Sequence, residues 1–415
     1  KLIEILKELT NLGNTVIVVE HDEDIIRCAD QIVDIGPEAG SKGGMVVAQG
    51  TIKEILKSNS LTSKYLNNKE EISTPEKPRY SSGKIIIKGA RENNLKNINV
   101  EFPLNNLTVV TGVSGSGKTT LVKKILYPAL LKEKGIFKIK PGQFDSISGD
   151  ISKIDEIEFI DQNPIGTSSR SNPVTYLKIY DDIRNLYSSL KLSKLNNYKA
   201  KHFSFNVDGG RCENCKGEGN VKIEMQFMAD VSLVCENCKG KRFKNEILKV
   251  KYHKKTIDDI LTMTVDEAID FFSIHENQKI SNKLKPLQDV GMGYVQLGQS
   301  SSTLSGGEAQ RIKLATFILK GNKGKKTLFI FDEPTTGLHF HDIKKLLKSF
   351  NSLIDNGHSI VVVEHNLDLI KCSDNIIDLG PDGGENGGDL IFNGKPNNLI
   401  TEKKSRLKKY LELKF

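Results

Sequence analysis

Apolar residues in this chain gather in short continuous runs, and these runs alternate with segments of helical periodicity. The runs are "KIIIKG" (84–89), "NINVEF" (97–102), "LTVVTG" (107–112), "EIEFIDQ" (156–162), "TLFIFDEP" (327–334) and "SIVVVEH" (359–365). Runs of this length are typical of strands in an α/β sheet, whereas "HDIKKLLKSFNSLI" (341–354) repeats at the helical period. The alternation therefore predicts an α/β fold. Residues from about 165 to 285 do not follow it, and we expect them to form an insertion.

An internal repeat divides the chain further. The segment "GNTVIVVEHDEDIIRCADQIVDIGPEAGSKGG" from Gly13 aligns without a gap on "GHSIVVVEHNLDLIKCSDNIIDLGPDGGENGG" from Gly357, at an offset of 344 residues. We interpret residues 1–66 as the C-terminal part of a first domain copy and residues 84–415 as a complete second copy. Residues 67–83 are rich in Pro, Ser and charge, as expected for a linker. Cys28 and Cys372 align within the repeat, which favours a small buried apolar role for both.

Charge and composition narrow the class of protein. No apolar run approaches the roughly 18 residues of a membrane span, so no membrane partner is expected. The chain begins without Met or a signal-peptide pattern, so we expect a cytoplasmic protein with an upstream part. The net charge is +8, and residues 191–255 alone contain fifteen Lys or Arg against seven Asp or Glu. This basic window favours a nucleic-acid partner, and a solvated lysine-rich surface is the alternative.

The stretch "GVSGSGKT", Gly112 to Thr119, matches the phosphate-binding pattern G-x-x-x-x-G-K-[ST] between a predicted strand and a predicted helix. Its glycines let backbone N–H groups surround phosphates, Lys118 is expected to reach the β and γ phosphates, and the Thr119 hydroxyl to bind Mg²⁺. The helix that starts near Thr119 directs its positive end at the anion. The predicted ATP-binding residues of this P-loop are Gly112, Ser114, Gly115, Ser116, Gly117, Lys118, Thr119 and Thr120.

An acidic pair supplies the second part of the predicted nucleotide site. Four apolar residues lead to Asp332, which is placed to hold Mg²⁺ at the end of a strand. Glu333 follows, where a carboxylate can orient or deprotonate the attacking water. An acidic pair is weak evidence by itself, but the P-loop upstream makes ATP with Mg²⁺ the predicted ligand.

The stretch "TLSGGEAQR" (303–311) resembles the signature of the ABC-type ATPases. In that family, the serine and glycines contact the γ-phosphate held by a different nucleotide-binding domain. This role would fall to Ser305, Gly306 and Gly307, with the helix from about Glu308 aimed at the phosphate. The same resemblance makes Gln162 the Q-loop residue that senses Mg²⁺ and water, and His365 the switch histidine at the γ-phosphate. His21 is equivalent to His365 in the first copy, and we assign it no catalytic role.

Four of the six cysteines form the pattern C-x2-C-x19-C-x2-C: Cys212, Cys215, Cys235 and Cys238. The spacing is typical of a structural Zn²⁺ site with four thiolates, and a redox dithiol pair is the alternative. Each pair precedes Lys-Gly, where glycine relaxes a tight turn. Between the pairs, residues 221–227 alternate in polarity, residues 228–230 are expected to turn, and residues 231–234 return, so we expect a hairpin that brings the pairs together.

Together these motifs resemble the UvrA family of bacterial nucleotide-excision-repair ATPases over essentially the whole chain. The specific stretches are "GARENNLKNI", "FSFNVDGGRCENC", "LGQSSSTLSGGEAQRIKLA" and "DEPTTGLH", and Lys118 precedes Ser305 by 187 residues, farther than in transporter ABC domains. Thr167 and Ser169 stand where the family commonly has Arg and Pro. The resemblance implies an α/β P-loop ABC-type ATPase domain with an inserted zinc-binding module, preceded by the tail of a first ABC ATPase domain.

The same resemblance implies a functional role and partners. It implies a homodimer of the full-length protein that recognises damaged duplex DNA and loads UvrB through the first half of the protein, without itself being the nuclease. It implies that the zinc module contacts DNA, and our candidates for phosphate contacts are Arg170, Lys201, Arg211, Lys222 and Arg242. Two other functions are considered: a transporter-type ATPase subunit, disfavoured by the cysteine insertion, and a DNA-binding zinc module with vestigial hydrolysis, disfavoured by the intact nucleotide motifs.

Overall fold

The computed structural model describes all residues except 1, 38, 76–78, 167, 169, 224, 226–230, 321–323, 413 and 415, together with the side chain of residue 41. The chain forms two compact units. The first comprises Lys1–Asp161 and Asn322–Phe415, and the second comprises Gln162–Gly321. The expected turn at 228–230 and the family departures at Thr167 and Ser169 lie outside the described residues.

The strands in chain order are β1 (Ile32–Gly36), β2 (Met45–Gly50), β3 (Lys84–Ala90), β4 (Ile98–Pro103), β5 (Leu107–Gly112), β6 (Ser146–Gly149), β7 (Glu156–Ile160), β8 (Asn220–Ile223), β9 (Val231–Val234), β10 (Thr327–Asp332), β11 (Ser359–Val363), β12 (Asn375–Gly380) and β13 (Asp389–Gly394). The α-helices are α1 (Leu2–Asn11), α2 (Glu23–Cys28), α3 (Ile52–Ile55), α4 (Leu61–Leu66), α5 (Tyr127–Glu133), α6 (Pro173–Tyr176), α7 (Ile179–Ser189), α8 (Lys191–Leu195), α9 (Asn245–Leu248), α10 (Ile257–Thr262), α11 (Val265–Ile274), α12 (Gln278–Asp289), α13 (Gly306–Lys320), α14 (Phe340–Asp355), α15 (Leu367–Lys371), α16 (Pro396–Leu399) and α17 (Lys408–Leu411). A π-helical segment, Thr120–Leu126, precedes α5 directly.

The first unit is built around a six-stranded sheet in the order β13-β12-β5-β11-β10-β7. All neighbours are parallel except β12 and β13, and every residue of β11 is buried. Three further strands form an antiparallel sheet in the order β4-β3-β6. Both sheets contribute to one hydrophobic core, in which the P-loop helix also packs. Parallel strands align their carboxyl ends at one edge, so the loops after β5, β10 and β11 lie side by side.

The tail of the first copy shows why a strand pattern needs a partner. The segment that matches β11 in the repeat forms no strand in the tail, and Val19 is 90% exposed where its counterpart Val363 is 2% exposed. In the part of the chain that the structure describes, no neighbouring strand offers this segment a hydrogen-bond ladder. The expectation that both lone cysteines are buried is correct for Cys372 and wrong for Cys28, which lies exposed in the same uncovered tail.

The second unit is mainly helical. Helix α12 packs against α7, α11 and α13, and the antiparallel hairpin of β8 and β9 lies beside the four cysteines. Capping boxes begin α10 at Thr256 and α11 at Thr264, where side chain and backbone exchange hydrogen bonds and fix the first turn. The unit contains the region expected to be an insertion and also extends to the signature helix α13. Among the described helices of the chain, none is long and apolar enough to cross a membrane.

Candidate nucleotide site and metal centre

The P-loop follows β5 in the first unit, and the sheet fixes its start. Gly112 ends β5 with a φ of +135°, and a Cβ there would lie 2.0 Å from the Leu379 carbonyl oxygen of β12. Only glycine combines that backbone conformation with so close an approach. The predicted helix after the loop is present, but its first part, Thr120–Leu126, is π-helical.

Lys118 is buried at the mouth of this loop. Its Nζ donates to the carbonyl oxygens of Gly112 and Val113, both at 2.9 Å. Burial lowers the pKa of Lys118 below its usual range, and the negative charges of Glu333, Asp378 and Asp332 oppose that shift in this order. The ammonium therefore has two carbonyl acceptors and is acted on by the charges of three carboxylates. The sequence predicted Asp332 and Glu333 for this site but not Asp378.

A second glycine-rich segment, Gly383–Gly388, supports the P-loop. The Gly384 N–H donates to the Gly115 carbonyl at 3.1 Å. The Asn94 amide joins both segments, because its Nδ2 donates to Gly115 O at 2.8 Å and to Gly384 O at 3.1 Å. Asn93 donates to the Thr120 hydroxyl at 3.1 Å. Neither asparagine was predicted from the sequence to belong to the site, although both lie in the stretch "GARENNLKNI".

The acidic pair lies at the end of β10. Burial raises the pKa of Asp332. The positive charge of Lys123 opposes this shift, and the negative charge of Asp161 adds to it. Glu333 has a φ of +47°, and its N–H donates to the Val363 carbonyl of β11 at 2.9 Å. A side chain with a Cβ adopts this left-handed conformation at a cost, so the neighbouring strand holds Glu333 in a strained position. The carboxylate of Asp332 and the hydroxyl of Thr119 are hard oxygen ligands of the type that Mg²⁺ prefers.

The loop after β11 contains the predicted switch histidine. The His365 side chain is 68% exposed, whereas the preceding Glu364 is fully buried. The Glu364 carboxylate accepts hydrogen bonds from the backbone N–H groups of His365 at 2.7 Å and Asn366 at 3.0 Å. It also accepts from the N–H of Thr335 at 2.9 Å and from the Thr335 hydroxyl. Glu364 was not recognised from the sequence; the Glu-His dipeptide in both repeat copies was the available signal.

The signature residues lie in the second unit together with Gln162. Ser305 and Glu308 form a capping box, with N–H to carboxylate and N–H to hydroxyl distances of 2.8 Å and 3.3 Å. This box starts α13 at Gly306, two residues before the expected start near Glu308. A Cβ on Gly306 would lie 2.9 Å from the Gln162 Cβ, so this glycine allows the Q-loop residue to pack on the helix start. Gly307 is buried in the first turn.

The four paired cysteines converge in the second unit, with sulfur atoms all within 4.8 Å of one another. The Cys212 and Cys235 sulfurs are 3.9 Å apart, and those of Cys215 and Cys238 are 3.6 Å apart. A tetrahedral ion with Zn–S bonds of about 2.3 Å separates its sulfurs by about 3.8 Å. The donor set therefore fits Zn²⁺, and no disulfide joins these cysteines.

The two Cys-x-x-Cys turns have the same backbone geometry. Lys216 and Lys239, which follow the second cysteine of each pair, have φ values of +49° and +50°. A hydrogen bond from the Cys238 N–H contributes most to lowering the pKa of Cys235 to about 6, and the Gly219 N–H donates to Cys215 at 3.3 Å. Burial raises the pKa of Cys238 to about 12 and also raises that of Cys215. The β8–β9 hairpin pairs residues 220–223 with 231–234, in agreement with the expected hairpin.

The candidate DNA contacts divide into two groups. Lys201 and Lys222 are exposed, as a phosphate contact requires. The three arginines make contacts within the second unit. Arg170 pairs with Glu218 at 3.5 Å, Arg211 pairs with Asp208 at 2.7 Å, and Arg242 donates to the Gly298 carbonyl at 3.0 Å. The arginine side chains therefore have structural partners in addition to their predicted role.

Comparisons with known proteins extend the sequence argument. The family model described as ABC transporter matches residues 212–336. The chain is 55% identical to the UvrABC system protein A of Clostridium perfringens over 99% of its own length and 44% of that protein. It is 53% identical to the protein of the same name from Staphylococcus epidermidis, over 99% of the chain and 43% of that protein. The chain thus spans less than half the length of these relatives.

A solved structure agrees with this result. The crystal structure of UvrA2 from Deinococcus radiodurans matches 99% of this chain and 49% of its own, with a TM-score of 0.91 and 42% sequence identity. The α/β sheet, the P-loop and the four-cysteine cluster form the expected ABC-type ATPase fold with an inserted cysteine module. Over 99% of its length, the chain is therefore similar in sequence and in fold to part of the UvrA proteins.

Proposed function

We propose that this chain binds and hydrolyses ATP with Mg²⁺ as part of a DNA-repair protein that recognises damaged DNA. The placement of Lys118 is the observation that carries the proposal. Its ammonium has three donors, of which the carbonyls of Gly112 and Val113 accept two, and the charges of Asp332 and Glu333 act on it. Such a buried cation beside strand-end carboxylates suits a triphosphate with its metal ion.

The proposed roles follow from the chemistry of each side chain. Lys118 would bind the β and γ phosphates, and Thr119 and Asp332 would hold Mg²⁺, which supplies charge stabilisation for phosphoryl transfer. Glu333 would orient the attacking water and accept its proton, because its carboxylate is held on the strained turn after β10. The exposed His365 would contact the γ-phosphate, and Gln162 would sense the metal and the water.

The signature points to a second nucleotide-binding domain. Ser305, Gly306 and Gly307 begin α13, a helix of fifteen residues whose positive end favours an anion. We propose that these residues contact the γ-phosphate of an ATP held by another domain, either in the full-length protein or in its homodimer. Hydrolysis then depends on that second domain.

The cysteine module and the basic window supply the DNA part of the proposal. Zn²⁺ would be bound by Cys212, Cys215, Cys235 and Cys238 in a closed structural site without an open ligand position. Exposed lysines such as Lys201 and Lys222 would contact duplex phosphates, and no base-reading pattern is required for a protein that senses deformed DNA. The full-length protein would load UvrB at lesions in the cytoplasm.

The substitution Glu333→Gln tests the proposed hydrolysis. Glutamine has nearly the same side-chain volume and the same cost of a left-handed backbone, but it cannot accept the proton. ATP binding should therefore persist while turnover falls by about 10²-fold or more. Glu133→Gln on the exposed end of α5 is the matched control and should retain full turnover. Steady-state phosphate release and equilibrium ATP binding should be measured with undamaged and lesion-bearing duplexes. Unchanged turnover in Glu333→Gln would remove this residue from the mechanism.

A further inference from the structure

Glu364 is a fully buried carboxylate between two loops of the nucleotide site. Its own N–H donates to the Val110 carbonyl of β5 at 3.1 Å, which fixes its backbone beside the strand that leads into the P-loop. Both carboxylate oxygens accept two hydrogen bonds each. A buried carboxylate is costly unless its acceptors are used, and four donors meet that requirement here.

The two oxygens face different loops. Oε1 accepts from the N–H and hydroxyl of Thr335, in the loop that follows the acidic pair. Oε2 accepts from the N–H groups of His365 and Asn366. One side chain therefore joins the loop of the proposed water-orienting residue to the loop of the proposed switch histidine. The contact holds the His365 backbone while its imidazole extends outward with 68% exposure.

The equivalent residues of the first copy show which hydrogen bonds of Glu364 depend only on the local sequence and which depend on a distant loop. Glu20 and His21 repeat the dipeptide, and the His21 N–H donates to the Glu20 carboxylate at 3.1 Å, although both residues are exposed. The bond to the following histidine is therefore a local property of the sequence. The bonds to Thr335 are made only where the loop after an acidic pair lies beside it.

We propose that Glu364 is a positioning residue for ATP hydrolysis, which couples the loop after the acidic pair to the switch histidine. The inference rests on the proposed ATPase function and goes beyond it by assigning a residue outside the P-loop, acidic pair and signature. Glu364 touches neither nucleotide nor water in this role. It acts through the backbone of His365 and through Thr335, so that the two loops move together when ATP is bound or released.

Glu364→Gln is the direct perturbation. A glutamine has one acceptor oxygen and one NH₂ group, so the NH₂ group would face either the Thr335 donors or the two backbone donors of the histidine loop. One half of the coupling is then lost with little change in volume. We expect kcat to fall by about 10- to 100-fold because hydrogen bonds to a charged group are lost, with the ATP dissociation constant within about threefold of the unsubstituted protein.

Two further variants serve as a weaker perturbation of the same contact and as a control. Thr335→Val removes the hydroxyl donor but keeps the N–H, so we expect a smaller loss of kcat, about 3- to 10-fold. Glu133→Gln makes the same chemical change at an exposed position and should leave kcat unchanged. All four proteins should be measured by phosphate release, ATP binding and amide hydrogen exchange of the two loops.

Hydrogen exchange distinguishes positioning from a general structural role. Under the proposal, Glu364→Gln raises exchange at residues 335 and 365–366 by about tenfold or more, and leaves the P-loop helix unchanged. Unchanged kcat, unchanged exchange, or exchange and weakened ATP binding spread across the whole sheet would each overturn it. If the unsubstituted protein does not hydrolyse ATP, the proposed function fails, and the exchange data still decide whether Glu364 joins the two loops.

Discussion

The cysteine module should depend on its metal ion for its structure, and removal of that ion is the most discriminating perturbation. Only one other hydrophobic residue among those described, Val221, packs against the four cysteines, so apolar burial contributes little there. Structural zinc sites contribute about 10–16 kcal/mol of apparent binding free energy, which is also folding free energy for the residues they hold. We expect about one zinc ion per chain in protein purified without a chelator.

The sulfur positions give the cost of removing the ion. Two thiolates separated by 3.6 Å or 3.9 Å, as for the pairs Cys215–Cys238 and Cys212–Cys235, repel one another by about 4 kcal/mol at an effective dielectric constant of about 20. Without a cation, the cluster must take up protons or open. Either response makes the sulfurs accessible to a thiol reagent.

Counting reactive thiols on this chain under native conditions measures that change. With the metal bound, we expect one fast thiol, the exposed Cys28, while Cys372 reacts slowly because it is buried. A strong chelator should add the four clustered thiols to the fast class and release about one equivalent of zinc. Cys28→Ser is the control and should retain the ion, whereas Cys215→Ser should lose most of it. Fast reaction of the clustered thiols before chelation, or no metal in the purified protein, would refute this reasoning.

Three other predictions concern separate parts of the chain. Asn94→Ala removes two hydrogen bonds between the P-loop and the neighbouring glycine-rich segment, so ATP affinity in equilibrium binding should fall by about 5- to 20-fold; an unchanged affinity would contradict the supporting role. Burial raises the pKa of Asp258 to about 6, so the folded state retains a proton that the unfolded state releases near 3.8, and stability is lost as the pH rises through about 6. Asp258→Asn, which remains neutral, should therefore raise the melting temperature at pH 8 but not below about pH 4, and equal shifts at both values would exclude this cause. Binding of long duplex DNA should weaken with salt, and Lys201→Ala should reduce the logarithmic salt slope by about 0.9 if this lysine contacts a phosphate; an unchanged slope would place it outside the interface.

The strands of the second copy were predictable because their residues are buried between neighbours that the same chain supplies. "SIVVVEH" forms β11, whereas the aligned "TVIVVEH" at 15–21 forms no strand in the tail. The two segments have the same apolar pattern and differ in the availability of a hydrogen-bonding partner. Local pattern therefore predicts a strand only when the sheet around it is also present.

The nucleotide and cysteine motifs were predictable because their chemistry depends on fixed local spacing. The supporting contacts between loops were not, since Asn94 bonds to Gly115 and Gly384, and Glu364 bonds to Thr335, all more than 20 positions away in sequence. The start of α13 could have been predicted two residues earlier from the S-x-x-E pattern of Ser305 and Glu308. The partners of Arg211 and Arg242 could not be predicted, because charge composition does not reveal which cations are already paired within the fold.

The left-handed backbone at Glu333 has a consequence for the evolution and engineering of this fold. A residue with a Cβ pays about 1–2 kcal/mol in that conformation, which glycine avoids. Selection for heat resistance without selection for turnover should therefore favour Gly or Asn at this position, because both adopt positive φ more readily. A library screened only for thermal tolerance would be enriched in proteins that fold better and have lost this carboxylate. At this one residue, a change that increases thermal stability therefore decreases ATP turnover.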